Sequence, residues 1–378
     1  MRTPWGFIFG FGIAGALASV FFLWSRFCKF GIVRKFAGKN RAKRILLGFI
    51  PIAIMGLFML VSVVNTGIVM IHMSFYWLIA EFIAFIIKKI RHKKTFNIKS
   101  DADAFHPYVV GIIVLCFELC YFSAGWFLAH HVFETDYVIT TDKDLGTENL
   151  RIVQIADSHI GATFDGNGFK DHLKTIQATN PDILVIVGDF IDDETTKEDL
   201  ILSCEGLAEL SCPYGKYYVY GNHDKGYYRK KDFSNNEFEQ LLKNAGVTIL
   251  QDKALLVNDS FYIIGRKDKS DQSRKSISSI MSLLDRSKFS IVLDHQPTDY
   301  DAEAASGADL VLSGHTHGGQ LIPIKIVSLL MKSNDSTYGL EKRGDTNFIV
   351  TSGIGDWSID FKTGTKAEFC VIDIQKNG

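Results

Sequence analysis

The first 133 residues alternate long apolar runs with short basic stretches, and the remainder shows the shorter rhythm of strands and helices. The run from Trp5 to Trp24 is uncharged and about 20 residues long, enough for a helix to cross a bilayer. Ile45 to Ile87 stays apolar for about 43 residues, too long for one crossing and right for two. The break is expected near Asn65-Thr66-Gly67, where small and polar residues interrupt the run. A fourth span is expected from about Tyr108 to Leu128. The predicted spans are therefore about 5–24, 45–64, 67–87 and 108–128. The first run continues well past Ala16-Leu17-Ala18, which reads as a retained helix rather than a cleaved leader.

Beyond this membrane domain (1–133), residues 134–149 are polar and acidic and read as a linker with an edge strand. From 150 to 378 the pattern predicts strands at Leu150–Ala156, Ile183–Val187, Tyr217–Tyr220, Phe261–Ile264, Ser290–Leu293, Leu310–Leu312, Asn347–Thr351 and Glu368–Ile374. Helices are predicted at about Gly168–Thr179, Glu198–Glu209, Asn235–Ala245 and Ser276–Leu284. A βαβ rhythm with strand-rich ends implies an α/β sandwich.

Charge sharpens this division. Residues 1–133 carry fifteen Lys and Arg against four Asp and Glu, whereas residues 134–378 carry 26 against 38. The acidic half argues against nucleic acid as a partner, because a phosphate backbone needs a basic footprint. Arg26, Lys29, Arg34, Lys35, Lys39, Arg41, Lys43 and Arg44 lie between spans one and two. Lys88, Lys89, Arg91, Lys93, Lys94 and Lys99 lie between spans three and four. Basic loops stay cytoplasmic. The expected arrangement is a multi-pass cell-membrane protein whose N-terminus and 150–378 domain face outward. Glu81 and Glu118 fall inside predicted spans, where a carboxylate is costly. For Glu118 a lipid-headgroup or ion contact and a protonated or paired carboxyl stay open. For Glu81 a pairing with Lys88 near the interface is expected. His130 and His131 read as interfacial. The six cysteines contain no C-x-x-C and read as isolated thiols.

Metal-capable residues concentrate just after the predicted strands. Asp157 and His159 follow the first, Asp189 the second, and Asn222, His223 and Asp224 the third. His295 ends a later strand, and His315 and His317 follow the next. Asp157 and His159, like His315 and His317, are two apart, so extended backbone aims each pair one way. Groups at strand ends of an open α/β sheet meet in one crevice.

These blocks (D-x-H, G-D, G-N-H-D, H and G-H-T-H) resemble, in order, the signature of the calcineurin-like metallophosphoesterase superfamily from about Asn149 onward. Gly314–Gln320 and Ser352–Gly355 look like the G-H-T-H-G-G-Q and S-G-I-G of its membrane-anchored bacterial branch. The resemblance implies a four-layer α/β/β/α sandwich and two divalent metal ions. One would take Asp157, His159, Asp189 and His317, the other Asp189, Asn222, His295 and His315, with Asp189 bridging. Oxygen and imidazole ligands without thiolate suit Mn, Fe or Zn. Such a pair makes hydroxide from water near neutral pH and clamps phosphoryl oxygens. His223 then has the place of the general acid, with Asp224 expected to hold its ring. The arginine that Ser/Thr phosphatases of the superfamily carry soon after the G-D aspartate is absent from Phe190-Ile191-Asp192-Asp193, which disfavours a protein phosphatase. Arg266 is a candidate replacement clamp, with a solvent-exposed turn as the alternative. The implied function is hydrolysis of a phosphoester, a phosphodiester first, by metal-activated hydroxide at the membrane. Membrane lipids and lipid-linked or cell-envelope phosphoesters fit as partners and substrate. A dormant membrane sensor or scaffold is the alternative.

Overall fold

A computed structural model of the chain describes residues 5–92, 108–225, 231–322 and 334–377. Lys93, Lys94 and Lys99 of the second basic loop lie outside the described residues. The chain forms two compact units, residues 1–123 and 124–378.

The first unit holds helices α1 (Trp5–Phe27), α2 (Gly31–Ala37), α3 (Arg41–Phe58), α4 (Val63–His92) and most of α5 (Val109–His130). Among the described residues three helices, where four spans were expected, are long and apolar enough to cross a membrane. They are Gly10–Phe27, Val63–Ile90 and Val109–His130. The helix left out is α3, whose first turn is occupied by Arg41, Lys43 and Arg44 and which carries Pro51 inside. The chain turns before Val63 rather than at Asn65, because the Ser62 hydroxyl accepts the Asn65 backbone N–H at 3.2 Å and caps α4. Leu23, Phe27, Ile52, Met70, Met73, Trp77 and Val114 form this unit's core. Glu81 is paired, though not with Lys88. Arg26 donates to it from Nε and Nη2 at 3.1 and 2.8 Å, Lys29 donates at 2.8 Å, and the Tyr108 hydroxyl donates as well. Glu118 is 3% exposed, with no hydrogen-bond partner for either oxygen among the described residues.

The second unit runs β1 (Phe133–Thr141), β2 (Asn149–Ile155), α6 (Gly166–Ala178), β3 (Ile183–Val187), α7 (Lys197–Glu209), β4 (Lys216–Val219), α8 (Asn235–Asn244), β5 (Val247–Ile249), β6 (Lys253–Val257) and β7 (Phe261–Gly265). It continues with α9 (Ile277–Met281), β8 (Phe289–Leu293), α10 (Tyr300–Ala305), β9 (Leu310–Ser313), β10 (Gly339–Arg343), β11 (Thr346–Val350) and β12 (Glu368–Lys376). One six-stranded sheet has the order β1-β12-β2-β3-β4-β5 and the other β10-β11-β9-β8-β7-β6. The linker's edge strand is β1, which pairs parallel to β12 from Phe133↔Glu368.

Strand alternation separates the layers. In β3, Ile183, Val185 and Val187 enter a core shared with Ile263, Ile291, Leu293, Leu310 and Leu312 of the other sheet, so the two sheets face each other. Leu184 and Ile186 point the opposite way, onto Phe169, Leu173, Leu200, Leu207, Phe238 and Leu242 of α6, α7 and α8. On the far side Ile264, Val292, Val311 and Phe348 pack on Ile277, Ile280, Met281 and Tyr300 from α9 and α10. The architecture is the expected four-layer α/β/β/α sandwich. The helix predicted at Ser276–Leu284 shortens to five residues, with the Ser276 hydroxyl accepting the Ser279 N–H as its N-cap. All six cysteines are free.

Candidate metal centre

Parallel pairing decides which side chains meet. β2, β3 and β4 are neighbours in one sheet and β8 and β9 in the other, all parallel, so each group of carboxyl ends lies at one edge. Asp157 comes two residues after β2, Asp189 two after β3, His295 two after β8 and His315 two after β9. Two trios result, Asp157 with His159 and His317, and Asp189 with His295 and His315, the ligand atoms in each lying within 4.8 Å of one another. Asp189 stands between them, its Oδ2 3.1 Å from His295 Nε2 and 3.9 Å from His159 Nε2. Six of the seven expected ligands are thus assembled. The seventh, Asn222, follows Gly221, where an added Cβ would lie 2.2 Å from Asp189 Oδ1. The Asn222 Oδ1 is buried without a hydrogen-bond partner among the described residues.

This arrangement requires unfavourable backbone. Asp157, His159, Asp189, His315 and His317 all have positive φ, from 39° to 70°. Side-chain-bearing residues enter that region at a cost of order 1 kcal/mol or more each, usually where function demands it. Hydrogen bonds hold them there. The Asp157 carboxylate accepts the His315 N–H at 2.9 and 3.0 Å, and Asp189 Oδ1 accepts the His223 N–H at 2.7 Å. Gly188, at φ 80°, comes so near that a Cβ would sit 2.4 Å from His295 Nδ1.

Asp224 proves to be a backbone clamp rather than the holder of the His223 ring. Its two oxygens accept the N–H groups of Asp189, Phe190, Ile191 and Gly221 at 2.6–3.1 Å, and this fixes the turn that presents Asp189. The His223 ring instead lies against Trp357 and His159, with centroids 4.8 and 5.0 Å away. Arg266 is not a phosphate clamp either. It is 2% exposed, and its Nη1 is shared by Asp294, Asp299 and Glu303 at 2.8–3.1 Å.

Three orienting groups escaped the sequence reading. Asp192 Oδ2 lies 3.2 Å from His159 Nδ1, Asp356 Oδ1 lies 3.3 Å from His317 Nδ1, and the Val187 carbonyl accepts His295 Nδ1 at 2.8 Å. Each leaves Nε2 facing the centre, the arrangement that metal-ligating imidazoles use. Asp356 is in turn held by buried Lys362 at 3.2 Å and by Gln320 Nε2 at 3.2 Å. The sequence signal for Asp356 was its position directly after Ser352–Gly355. Nothing comparable marked Asp192 beyond its place three residues after Asp189.

The residues fit a pair of cations. Among the described residues, Nε2 of His159 and of His295, both near Asp189 Oδ2, and the Asn222 Oδ1 are buried with no hydrogen-bond partner. Burial, with the neighbouring rings of His295 and His159 respectively, brings His315 and His317 down to about 3, so both rings are neutral at ordinary pH. For Asp189, burial is outweighed by the His295 and His159 charges, which hold its carboxyl well below the usual range. For His295 the Asp189 charge likewise outweighs burial and lifts the imidazole well above its ordinary value.

The sequence pattern of the calcineurin-like phosphoesterases matches residues 150–319. An uncharacterized metallophosphoesterase of Campylobacter jejuni is 30% identical over 275 residues, covering 70% of this chain and 71% of that protein. One of Aquifex aeolicus is 30% identical over 252 residues, covering 64% of this chain and 91% of its own. A bovine transmembrane protein with a metallophosphoesterase domain is 27% identical over 243 residues, covering 60% of this chain and 53% of its own length. With 30% identity across more than two thirds of such a relative, the chain belongs to the calcineurin-like metallophosphoesterase family and is a hydrolase acting on ester bonds.

Proposed function

We propose that this protein cleaves a phosphodiester at the outer face of the cell membrane with two divalent metal ions. Asp157, His159, Asp189 and His317 would hold one ion. Asp189, Asn222, His295 and His315 would hold the other. The observation that carries the reading is Asp189 Oδ2, lying within 4 Å of one imidazole from each trio. An all-N,O donor set with no thiolate suits Mn, Fe or Zn. When bound, such ions supply an acidified water and Lewis acidity toward phosphoryl oxygens. The protein's own residues do the rest. Asp192, Asp356 and the Val187 carbonyl keep three rings turned inward. His223, beside the bridging carboxylate, gives its proton to the leaving oxygen.

Membrane orientation follows from charge. Eight basic residues between Arg26 and Arg44 and six between Lys88 and Lys99 belong on the cytoplasmic side together. They can share that side only if α3 and α4 both cross. The apolar part of α3, residues 45–58, gives about 21 Å of helix, and Met59, Leu60 and Val61 continue the apolar stretch beyond it, so the crossing needs a locally thinned bilayer. Four crossings put the hydrolase unit outside, where protease added to intact cells should digest it. Complete protection in permeated envelopes would place it in the cytoplasm.

The activity is tested with purified full-length protein, Mn²⁺ and the chromogenic diester bis(4-nitrophenyl) phosphate. Turnover is expected, and Asp189→Ala or chelation should lower it by about three orders of magnitude. Full metal loading without turnover on any phosphoester would favour the scaffold reading.

A further inference from the structure

We propose that the substrate is a phosphoester borne by a membrane lipid, reaching the metal centre over an apolar rim formed by Trp357, Ile322 and the last turns of α5. The proposal rests on the phosphoesterase reading above. One loop joins the metal centre to the last turns of α5. At one end Asp356 backs His317, and Trp357 lies against the His223 ring. A few residues on, the Lys362 N–H donates to the Gly125 carbonyl of α5 at 2.9 Å, and the Ala367 N–H donates to the Leu128 carbonyl at 2.7 Å. The packing there is close, since a Cβ at Gly125 would meet Thr363 Cγ2 at 2.8 Å. Residues 124–130 belong to the hydrolase unit, and α5 is also one of the three helices long and apolar enough to span. The loop that carries Trp357 is therefore bonded to the stretch of chain that enters the bilayer.

The side chains on this rim are apolar and about half exposed. Trp357 is 42% exposed, Ile322 41%, and Trp126 and Phe127 of α5 just over half. Ile322 is tied to the same loop, its N–H donating to Thr363 Oγ1 at 3.0 Å. Half-exposed tryptophans beside a spanning helix are the usual lining of a membrane–water interface, and exposed apolar patches mark contact surfaces. Trp357 faces the position of the general acid, so the group it touches is the part of the substrate attached to the leaving oxygen. An apolar leaving side held against Trp357, with the phosphate beyond it at the metal centre, describes a lipid-borne ester rather than a free sugar or inorganic phosphate.

The test uses full-length protein in phosphatidylcholine nanodiscs with Mn²⁺ and two diesters whose nitrophenolate leaving group itself carries the chain, methyl 2-hexadecanoylamino-4-nitrophenyl phosphate and methyl 2-acetylamino-4-nitrophenyl phosphate. With the hexadecanoyl diester counted by its concentration in the bilayer, kcat/KM should favour it at least tenfold. Trp357→Ala should shrink that preference to threefold or less, and Trp357→Phe should restore it. In nanodiscs of brominated phosphatidylcholine, Trp357→Phe should also remove part of the quenched tryptophan emission. Equal use of the two diesters, a preference unchanged in Trp357→Ala, or stacking-driven preference for soluble aromatic diesters alone would overturn the proposal while leaving the phosphoesterase reading intact. Failure to cleave either diester with two metals bound would overturn both.

Discussion

A histidine can ligate a metal only through a neutral nitrogen, and the four imidazoles of the centre differ in what that requires. Burial already keeps His315 and His317 neutral. Their two partners are the reverse case. Despite burial, the Asp189 charge raises His295 well above its ordinary value and the Asp192 and Asp189 contacts raise His159, so protons are favoured on both rings in the metal-free protein. A metal must displace them. Binding of Mn²⁺ at pH 7 should release at least one proton per chain, and affinity should fall about tenfold for each unit of pH below 7. Calorimetry in buffers of different ionisation enthalpy reads both, and binding with no proton release would contradict the assignment. The ligands themselves were legible in the sequence because their identity and spacing are dictated by chemistry. Their orienting partners were not. Asp192 and Asp356 reach His159 and His317 only through the folded loops. Asp224 misled for a related reason, since a neighbour in sequence need not be a neighbour of the ring.

At the scale of elements, the buried parallel strands read correctly because β3, β8 and β9 are short, wholly buried, apolar but for one serine each in β8 and β9, and bounded by turn residues. The elements overlooked were marginal in pattern. β5 has three residues, β6 is mostly exposed, and α10 has six. Gly265-Arg266-Lys267-Asp268 looked like a ligand loop because an arginine near a metal site suggests a phosphate. Instead Arg266 and Arg274 tie the end of β7 to Asp294, next to His295. Arg266→Ala strands Asp294 and Glu303 in a buried setting and should cost about 3–5 kcal/mol in urea unfolding. KM for bis(4-nitrophenyl) phosphate at a temperature where the variant is folded should change little. A phosphate clamp would give the opposite pair of results, unchanged stability and a raised KM.

For the whole molecule, the charge division recorded in the sequence corresponds to the physical one. One unit is basic, apolar and helical, and the other is an acidic sandwich. The sequence could count apolar runs but not fix the ends of α3 and α4, because a serine cap rather than the run's polar centre sets the turn. All of the proposed chemistry depends on one carboxylate, Asp189, which two cations would share. Electron paramagnetic resonance of the Mn²⁺-loaded protein, with metal content measured on the same sample, addresses this most directly. Two Mn²⁺ per chain are expected, with an exchange-coupled spectrum that collapses in Asp189→Ala. One Mn²⁺ per chain, or two with only the six-line signal of isolated ions, would contradict it.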